Sequence, residues 1–287
     1  MTLEKYLHDH YTADTAKIYR YEIANYIANY PGAAGAVYKD VVGYIGVLRT
    51  RYSKPTTLNR ILCSIKAYYD FLCYTGERSD NPARSIKLRD PRSRDIQLQE
   101  LVSTEELEAL LERPERYMNL AYRNRVLISL LIYQALHPGE MEALRVDDIN
   151  LTTGSIYIGS TAKTNQRELQ LKPGQVLLFY QYVHEIRPKL LKANPCDALL
   201  TGLRGKPMKA DDIVKHVMRS YKGLYPGRQV NAQTIRQSVI ANLLKQGHDL
   251  SLVQAFAGHK YPSSTERYKQ NEIETLRDAV QKYHPFG

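Results

Sequence analysis

Three side chains in the second half of the sequence have the types and spacing needed to cut a phosphodiester bond. Arg236 lies in the run Gln-Thr-Ile-Arg-Gln, His259 follows a glycine, and Tyr268 comes nine residues after that histidine. A tyrosine hydroxyl can attack phosphorus, an arginine can hold the charge that develops, and a histidine can transfer the proton. Together they predict covalent phosphoryl transfer.

Each of the three also stands in a local context that favours function. Arg236 falls in a helix that we expect to begin near Asn231, and its guanidinium fork suits two phosphate oxygens. His259 follows a predicted glycine helix cap, so it should lie at a turn. Tyr268 is one of 23 tyrosines, but it follows Ser-Ser-Thr at the expected start of a helix.

The acidic residues do not suggest a metal site. Asp147-Asp148 and Asp211-Asp212 lack further ligands at a suitable spacing. A covalent route that uses neither a metal nor another cofactor therefore fits the sequence better.

Composition indicates a polyanionic partner. The 287 residues carry a formal net charge of +10 with a pI near 9.3, and residues 1–92 contribute 14 Lys and Arg against 9 Asp and Glu. The three cysteines lack metal-ligand spacing and indicate reduced thiols. The longest apolar stretch, Val126 to Tyr133, is too short to cross a bilayer, and no signal-peptide core is evident. We expect a cytoplasmic protein with no membrane partner.

The first ninety residues predict a helical bundle. The clearest helix follows Pro55, with an apolar stripe made of Leu58, Ile61, Leu62, Ile65, Tyr68, Tyr69 and Leu72. Opposite the stripe lie Thr56 and Arg60 with the small residues Ser64 and Ala67, and Lys66 is on the flank. This face could lie against a sugar-phosphate backbone, although a plain solvated helix face would have the same pattern.

The rest of the chain predicts a mainly α fold with a small β-sheet, an α+β domain. A polar, basic linker spans residues 91–102, and a capping box formed by Ser103 and Glu106 begins the next helix. Two short strands, 155–159 and 168–171, flank a turn that contains Lys163, and helices dominate afterwards.

These motifs resemble the tyrosine recombinase (phage integrase) family. Its second motif, His-x-Leu-Arg-His, reads Gln-Thr-Ile-Arg-Gln here, and Leu-Gly-His reads Ala-Gly-His. The resemblance implies that Tyr268 bonds the DNA 3′ phosphate, Arg236 clamps that phosphate, His259 shares proton handling and Lys163 protonates the 5′ leaving oxygen. Gln233 replaces a family histidine or lysine, and its amide can still donate a hydrogen bond.

The first family motif departs most from the usual pattern. Where recombinases have Gly-Leu-Arg, this chain has Ala-Leu-His, so that His137 replaces a clamp arginine. We expect local compensation, because Pro138 suits a first helical turn and would leave the N–H groups of Gly139 and Glu140 free for an anion. Since losing one oxyanion donor costs on the order of 10²–10³ in rate, a slow enzyme is predicted.

The resemblance also implies an organisation and a function. Residues 1–90 would bind DNA and residues 103–287 would form the catalytic domain, with the final helix, within 272–285, docking into a neighbouring subunit. The chain would be a site-specific recombinase of a mobile element, active as a homo-tetramer on double-stranded DNA with an inverted-repeat site, through a Holliday junction.

Two other readings remain open. One is a recombinase-derived DNA-binding protein that no longer cuts, which the replacements at His137, Gln233 and Gln237 favour. The other is a type IB topoisomerase, which would share the chemistry but not the N-terminal layout.

Overall fold

The structure is a computed structural model that describes residues 1–90, 101–192 and 194–268. The chain divides into two compact units, Met1–Arg94 and Asp95–Gly287. Almost all of the expected linker, and all of the expected final helix at 272–285, lie outside the described residues. None of the described helices is long and apolar enough to cross a membrane.

The first unit is a helical bundle. Its helices are Leu3–His10 (α1), Ala13–Asn29 (α2), Tyr38–Arg51 (α3) and Pro55–Tyr74 (α4), with a 3₁₀ turn at Ala33–Gly35. The predicted apolar stripe of α4 is confirmed, because all seven of its residues are buried. At the centre of this core the Tyr26 and Tyr69 hydroxyls are 2.6 Å apart, and Tyr69 donates to the Ala33 carbonyl at 2.8 Å. These bonds satisfy polar atoms that burial would otherwise penalise.

The opposite face of α4 differs from the predicted one. Ser64 and Ala67 are fully buried, because other parts of the bundle cover this side of the helix as well. Lys66 is half-buried and donates to the Ile86 carbonyl at 2.8 Å. The small residues therefore serve close packing. The prediction that they form part of an exposed face is wrong.

Two of the three proposed DNA contacts on α4 are exposed. Thr56 lies on the surface in the first turn, and Arg60 is exposed but pairs with Glu22 at 2.7 Å. Glu22 is itself largely buried. Arg60 therefore has an internal partner besides any phosphate it meets.

The second unit surrounds a long buried helix. Its α-helices are Thr104–Ala109 (α5), Met118–Tyr133 (α6), Pro138–Ala143 (α7), Pro173–Gln181 (α8), Arg187–Leu191 (α9), Ala210–Ser220 (α10), Ala232–Lys245 (α11), Leu250–Ala257 (α12) and Ser263–Glu266 (α13). From Val126 to Ile132 every residue of α6 is buried, so the core lies around its second half. The predicted capping box at the start of α5 is confirmed, with Glu106 accepting from the Ser103 N–H at 2.9 Å.

A small antiparallel sheet lies between the helices, as predicted. It contains Ile149–Asn150 (β1), Ser155–Ile158 (β2) and Arg167–Gln170 (β3), in the order β1-β2-β3. Ile156 pairs with Leu169, and Ile158 pairs with Arg167. The sequence predicted β2 and β3 but missed β1, which is only two residues long. The β2–β3 connection carries Lys163.

Candidate active site

Arg236 is buried on α11 and joins three segments of the second unit. The helix begins next to Asn231, as predicted, and the Asn231 side-chain oxygen caps it by accepting from the backbone of Gln233 at 2.9 Å. Arg236 is 4% exposed and donates to the carbonyls of Ala135 and Ala257, the latter at 2.7 Å. Burial lowers the pKa of Arg236, yet a guanidinium stays charged in proteins. The site therefore has a fixed positive charge at its base.

The segment that accepts this hydrogen bond has a strained backbone. Ala135 has a φ of +48°, in the left-handed region that non-glycine residues rarely adopt. Its carbonyl accepts from Arg236, and His137 follows two residues later. The left-handed turn at Ala135 therefore places the segment that contains His137 next to Arg236.

A buried ion-pair network surrounds Arg236, and the sequence reasoning missed it. Glu140 is 2% exposed and accepts two hydrogen bonds from Arg167, at 2.6 and 3.2 Å, while its second oxygen is 3.7 Å from Arg236 Nη1. Burial alone would raise the pKa of Glu140, but the bonds from Arg167 outweigh it and lower the pKa. The carboxylate is therefore ionised. Its position three residues after His137 was the available signal in the sequence.

His137 caps α7 as a neutral ring. Its Nδ1 accepts from the Gly139 N–H at 3.1 Å, which leaves the proton on Nε2. Burial lowers the pKa of His137, and the charges of Arg236 and Lys163 lower it further. The ring therefore offers a phosphate one N–H donor but no charge.

The backbone donors expected to bind an anion are already used. The Gly139 N–H bonds to His137 Nδ1, and the Glu140 N–H donates to the His137 carbonyl at 2.8 Å. The prediction of a free anion-binding turn is wrong. The physical reason is that the histidine which replaces the arginine acts as the cap of this short helix.

His259 lies at a turn, as predicted. Gly258 ends α12 with a φ of +69°, which confirms the predicted glycine cap. The His259 Nδ1 is 2.8 Å from the Thr265 hydroxyl. Burial, followed by the charges of Arg236 and Arg167, lowers the pKa of His259 to about 4, so the ring is neutral at pH 7.

The β2–β3 connection is attached to this turn. The Asn165 N–H donates to the Gly258 carbonyl at 2.8 Å, and Thr164 forms a backbone bridge with His259. Lys163 is exposed next to these anchors. Its charge acts on His137, so the connection brings the lysine to the same side of the unit.

Tyr268 packs beside His259. Its ring is 5% exposed, lies in an apolar cluster with Ile240, Val253 and Ala257, and has its centroid 6.5 Å from that of His259. Burial raises the pKa of Tyr268, which the charges of Arg236 and Arg267 only partly offset. The phenol is therefore protonated at rest. Tyr268 lies two residues after the end of α13 at Glu266, and whether a helix opens there depends on residues outside the described part of the chain.

The structure brings five of the six candidate residues to one region. His137, Lys163, Arg236, His259 and Tyr268 surround the network of Glu140 and Arg167 through the contacts and charges described above. Gln233 is exposed in the first turn of α11, one turn before Arg236. Among the residues that the structure describes, no group of three or more His, Cys, Asp or Glu side chains is placed to hold a metal ion.

A buried guanidinium, two neutral histidines and a protonated tyrosine in one α+β unit define a candidate phosphoryl-transfer site. The sequence profile described as "Phage integrase family" matches residues 100–274, which is more than half of the chain. The chain belongs to this family, the tyrosine recombinases.

Curated relatives support the same assignment. The chain is 29% identical over 252 residues to the tyrosine recombinase XerD of Oceanobacillus iheyensis, covering 86% of this chain and 82% of that protein. It is 25% identical to the tyrosine recombinase XerD of Staphylococcus saprophyticus, covering 84% of this chain and 80% of that protein.

Solved structures share the fold. The Tn1549 transposon integrase in complex with transposon right end DNA has a TM-score of 0.68 at 16% identity, and the match covers 99% of both chains. The XerH site-specific recombinase bound to palindromic difH substrate has a TM-score of 0.66 at 21% identity, covering 85% of this chain and 72% of that chain.

We predict that Gly258→Ala damages both the fold and the site. A Cβ at this position would collide with Arg167 Nη1 and come within 2.9 Å of its Cζ, and φ is +69°. Backbone strain at this φ should lower the free energy of unfolding by about 1–3 kcal/mol, and the collision should lower it further. Gly247→Ala is the matched control, since it shares the strain at φ +85° but no atom of the described residues lies within 4 Å of its added carbon. Urea denaturation that finds equal losses for both variants would contradict the collision.

We also predict that stability falls in mild acid because of two histidines. The pKa values of His216 and His259 are both lowered to about 4 from 6.5, chiefly by burial. Between about pH 6.5 and pH 4 the unfolded chain binds protons that the folded chain does not, so unfolding becomes easier as pH falls. We expect a contribution on the order of 2 kcal/mol from each. In urea denaturation at pH 7 and 5, His216→Asn should reduce the difference; an unchanged difference would contradict the prediction.

Proposed function

We propose that the chain cleaves and rejoins DNA strands through a 3′-phosphotyrosyl intermediate. The observation that carries the proposal is that separate segments bring three groups together: Arg236 lies 3.7 Å from the buried Glu140 and donates to the Ala257 carbonyl, and the Tyr268 ring stacks beside His259 at 6.5 Å. Family membership adds the reaction class.

The proposed step conserves atoms and charge. The Tyr268 oxygen forms a bond to phosphorus, and the bond between phosphorus and the 5′ oxygen breaks. The tyrosine proton passes to neutral His259, on the ring nitrogen that does not face Thr265. Lys163 supplies the proton to the departing 5′ oxygen. Rejoining is the same step in reverse, so no external energy source is required.

Three donors would stabilise the transition state. Arg236 holds the charge of the non-bridging phosphate oxygens, and its backbone bonds fix it before the substrate arrives. His137 adds its Nε2–H as a neutral donor. Gln233 supplies a further amide donor at the exposed rim.

The DNA binding, assembly and strand exchange that we propose are those of the same family. In this proposal residues 1–90 bind double-stranded DNA, with Thr56, Arg60 and Lys66 near the backbone, and residues 103–287 form the catalytic domain. The net charge of +10 supports binding to a polyanion. Four copies would assemble on an inverted-repeat site and exchange strands through a Holliday junction. The cell compartment would be the cytoplasm, at the nucleoid, and the gene would belong to a mobile element.

A nicked suicide substrate tests the proposal. The nick lets the short 5′ strand leave, so that the covalent adduct accumulates and is counted after denaturing electrophoresis. We expect an adduct in buffer with EDTA, using a library of random and candidate repeat sequences. DNA binding without any adduct would overturn the proposal and favour a DNA-binding protein that does not cut. Relaxation of supercoiled DNA without strand exchange would favour a topoisomerase.

We predict that His137 contributes to cleavage through Nε2–H and to stability through Nδ1. His137→Ala should lower the adduct rate about 10²-fold and, through the lost cap, stability by about 1 kcal/mol. His137→Asn should keep the cap but remain slow, whereas His137→Arg should cleave faster than the wild type in each folded molecule. Adduct rates and thermal unfolding would be measured together. If none of the three changes alters the rate, His137 is not in the site.

A further inference from the structure

We propose that Arg167 is a positioning residue that holds Glu140 away from Arg236, so that the charge of Arg236 remains available to the scissile phosphate. The inference rests on the proposed function and adds a residue to it.

The Glu140 carboxylate lies closer to the guanidinium of Arg167 than to that of Arg236. Arg167 bonds both carboxylate oxygens, at 2.6 and 3.2 Å, whereas the Arg236 Nη1 stays 3.7 Å from the nearer oxygen. The Arg236 Nη atoms instead donate to the carbonyls of Ala135 and Ala257. Since carbonyls are neutral, these bonds compensate none of the charge of Arg236, which has only the longer 3.7 Å contact with Glu140.

The net charge of the buried ion-pair network depends on Arg167. Arg167, Glu140 and Arg236 together carry a net charge of +1, and all three side chains are at most 6% exposed. Without Arg167, Glu140 would keep the His137 backbone N–H at 2.7 Å, but its charge would be paired with that of Arg236, and the pair would be neutral. The ring of His137 is uncharged because its Nδ1 is engaged by Gly139. Arg167 therefore maintains the positive base of a site in which His137 contributes no charge.

Stability alone does not explain this buried pair. The buried Arg167 Nε has no hydrogen-bond partner among the described residues, and such an unpaired atom costs about 1–3 kcal/mol. Replacing a buried ion pair by apolar residues of similar volume is often neutral or stabilising. Gly258, whose missing side chain leaves room for the Arg167 guanidinium, adds a second constraint that serves this arrangement. Stability does not account for the unpaired Nε, the buried ion pair or the room left at Gly258, whereas a role of Arg167 in the reaction does.

The test compares the same variants on charged and neutral phosphates. Arg167→Gln, Arg167→Lys and the double variant Arg167→Gln/Glu140→Gln would react with a suicide substrate that has either a normal phosphate or a methylphosphonate at the cleavage site. A methylphosphonate lacks the negative charge of a phosphate, so the positive charge of Arg236 stabilises its transition state less. Arg123→Gln is the matched control, because Arg123 is also buried but bonds Asn124 and the Thr201 carbonyl.

On the normal phosphate we expect Arg167→Gln to lose about 10²-fold in adduct rate, and on the methylphosphonate less than about tenfold. The double variant should recover at least tenfold on the phosphate, because it removes the carboxylate that would neutralise Arg236. Arg167→Lys should be intermediate. Arg123→Gln should change both substrates by the same factor.

Equal losses of Arg167→Gln on the two substrates would overturn the inference, since a purely structural role lowers both rates alike. If Arg167→Gln does not fold, the double variant decides: a rate more than 10²-fold below the wild type on the phosphate would overturn it. Failure of the wild type to form any adduct would instead refute the proposed function, so the two failures are distinct.

Discussion

Replacing Tyr268 with phenylalanine should abolish the covalent protein–DNA adduct. The change removes the single oxygen that is proposed to attack phosphorus, and the loss of a nucleophile costs roughly 10⁴-fold or more. The ring itself packs against Ile240, Val253 and Ala257, and phenylalanine retains those contacts. We therefore expect the free energy of unfolding to change by less than about 1 kcal/mol. Binding to DNA should persist.

The measurement is adduct formation on the nicked substrate, beside a gel-shift assay of binding. Tyr261→Phe is the matched control, since this nearby tyrosine is 69% exposed and lies outside the apolar cluster. It should form the adduct at the wild-type rate. An adduct that survives in Tyr268→Phe would show that another residue is the nucleophile.

Replacing Arg236 with alanine should have the second largest effect, on both rate and stability. The transition state loses its principal charge clamp, so we expect the adduct rate to fall about 10²–10³-fold. The carbonyls of Ala135 and Ala257 lose a buried donor, and the ion-pair network loses one cation. Breaking a buried pair of this kind costs about 3–5 kcal/mol.

Arg236→Lys separates the two effects. Lysine keeps a positive charge but cannot reach two carbonyls as a planar fork, so stability should be partly restored while the rate remains low. Urea denaturation and single-turnover adduct rates would be measured on the same samples. A rate in Arg236→Ala within tenfold of the wild type, corrected for the folded fraction, would contradict the assignment of Arg236 as the clamp.

Local sequence patterns were sufficient for much of the fold. Periodicity and cap chemistry predict four features, because each depends on interactions within a few residues: the apolar stripe of α4, the capping box of α5, the start of α11 near Asn231 and the glycine cap at Gly258. The same local logic failed at Ser64 and Ala67. Their burial depends on what packs over the second face of α4, and a helical pattern does not contain that information.

In the candidate site, too, some features follow from the local sequence and others from tertiary packing. The sequence by itself indicated the candidate reacting groups, because Arg236, His259 and Tyr268 stood out by residue type, spacing and resemblance to a family motif. Only the tertiary structure decided how they are charged and held. Glu140 and Arg167 are 27 residues apart in the chain, and only the folded chain brings their side chains within 2.6 Å of each other. Electrostatic effects on pKa depend on distance in space and on burial, so they arise only once the chain has folded.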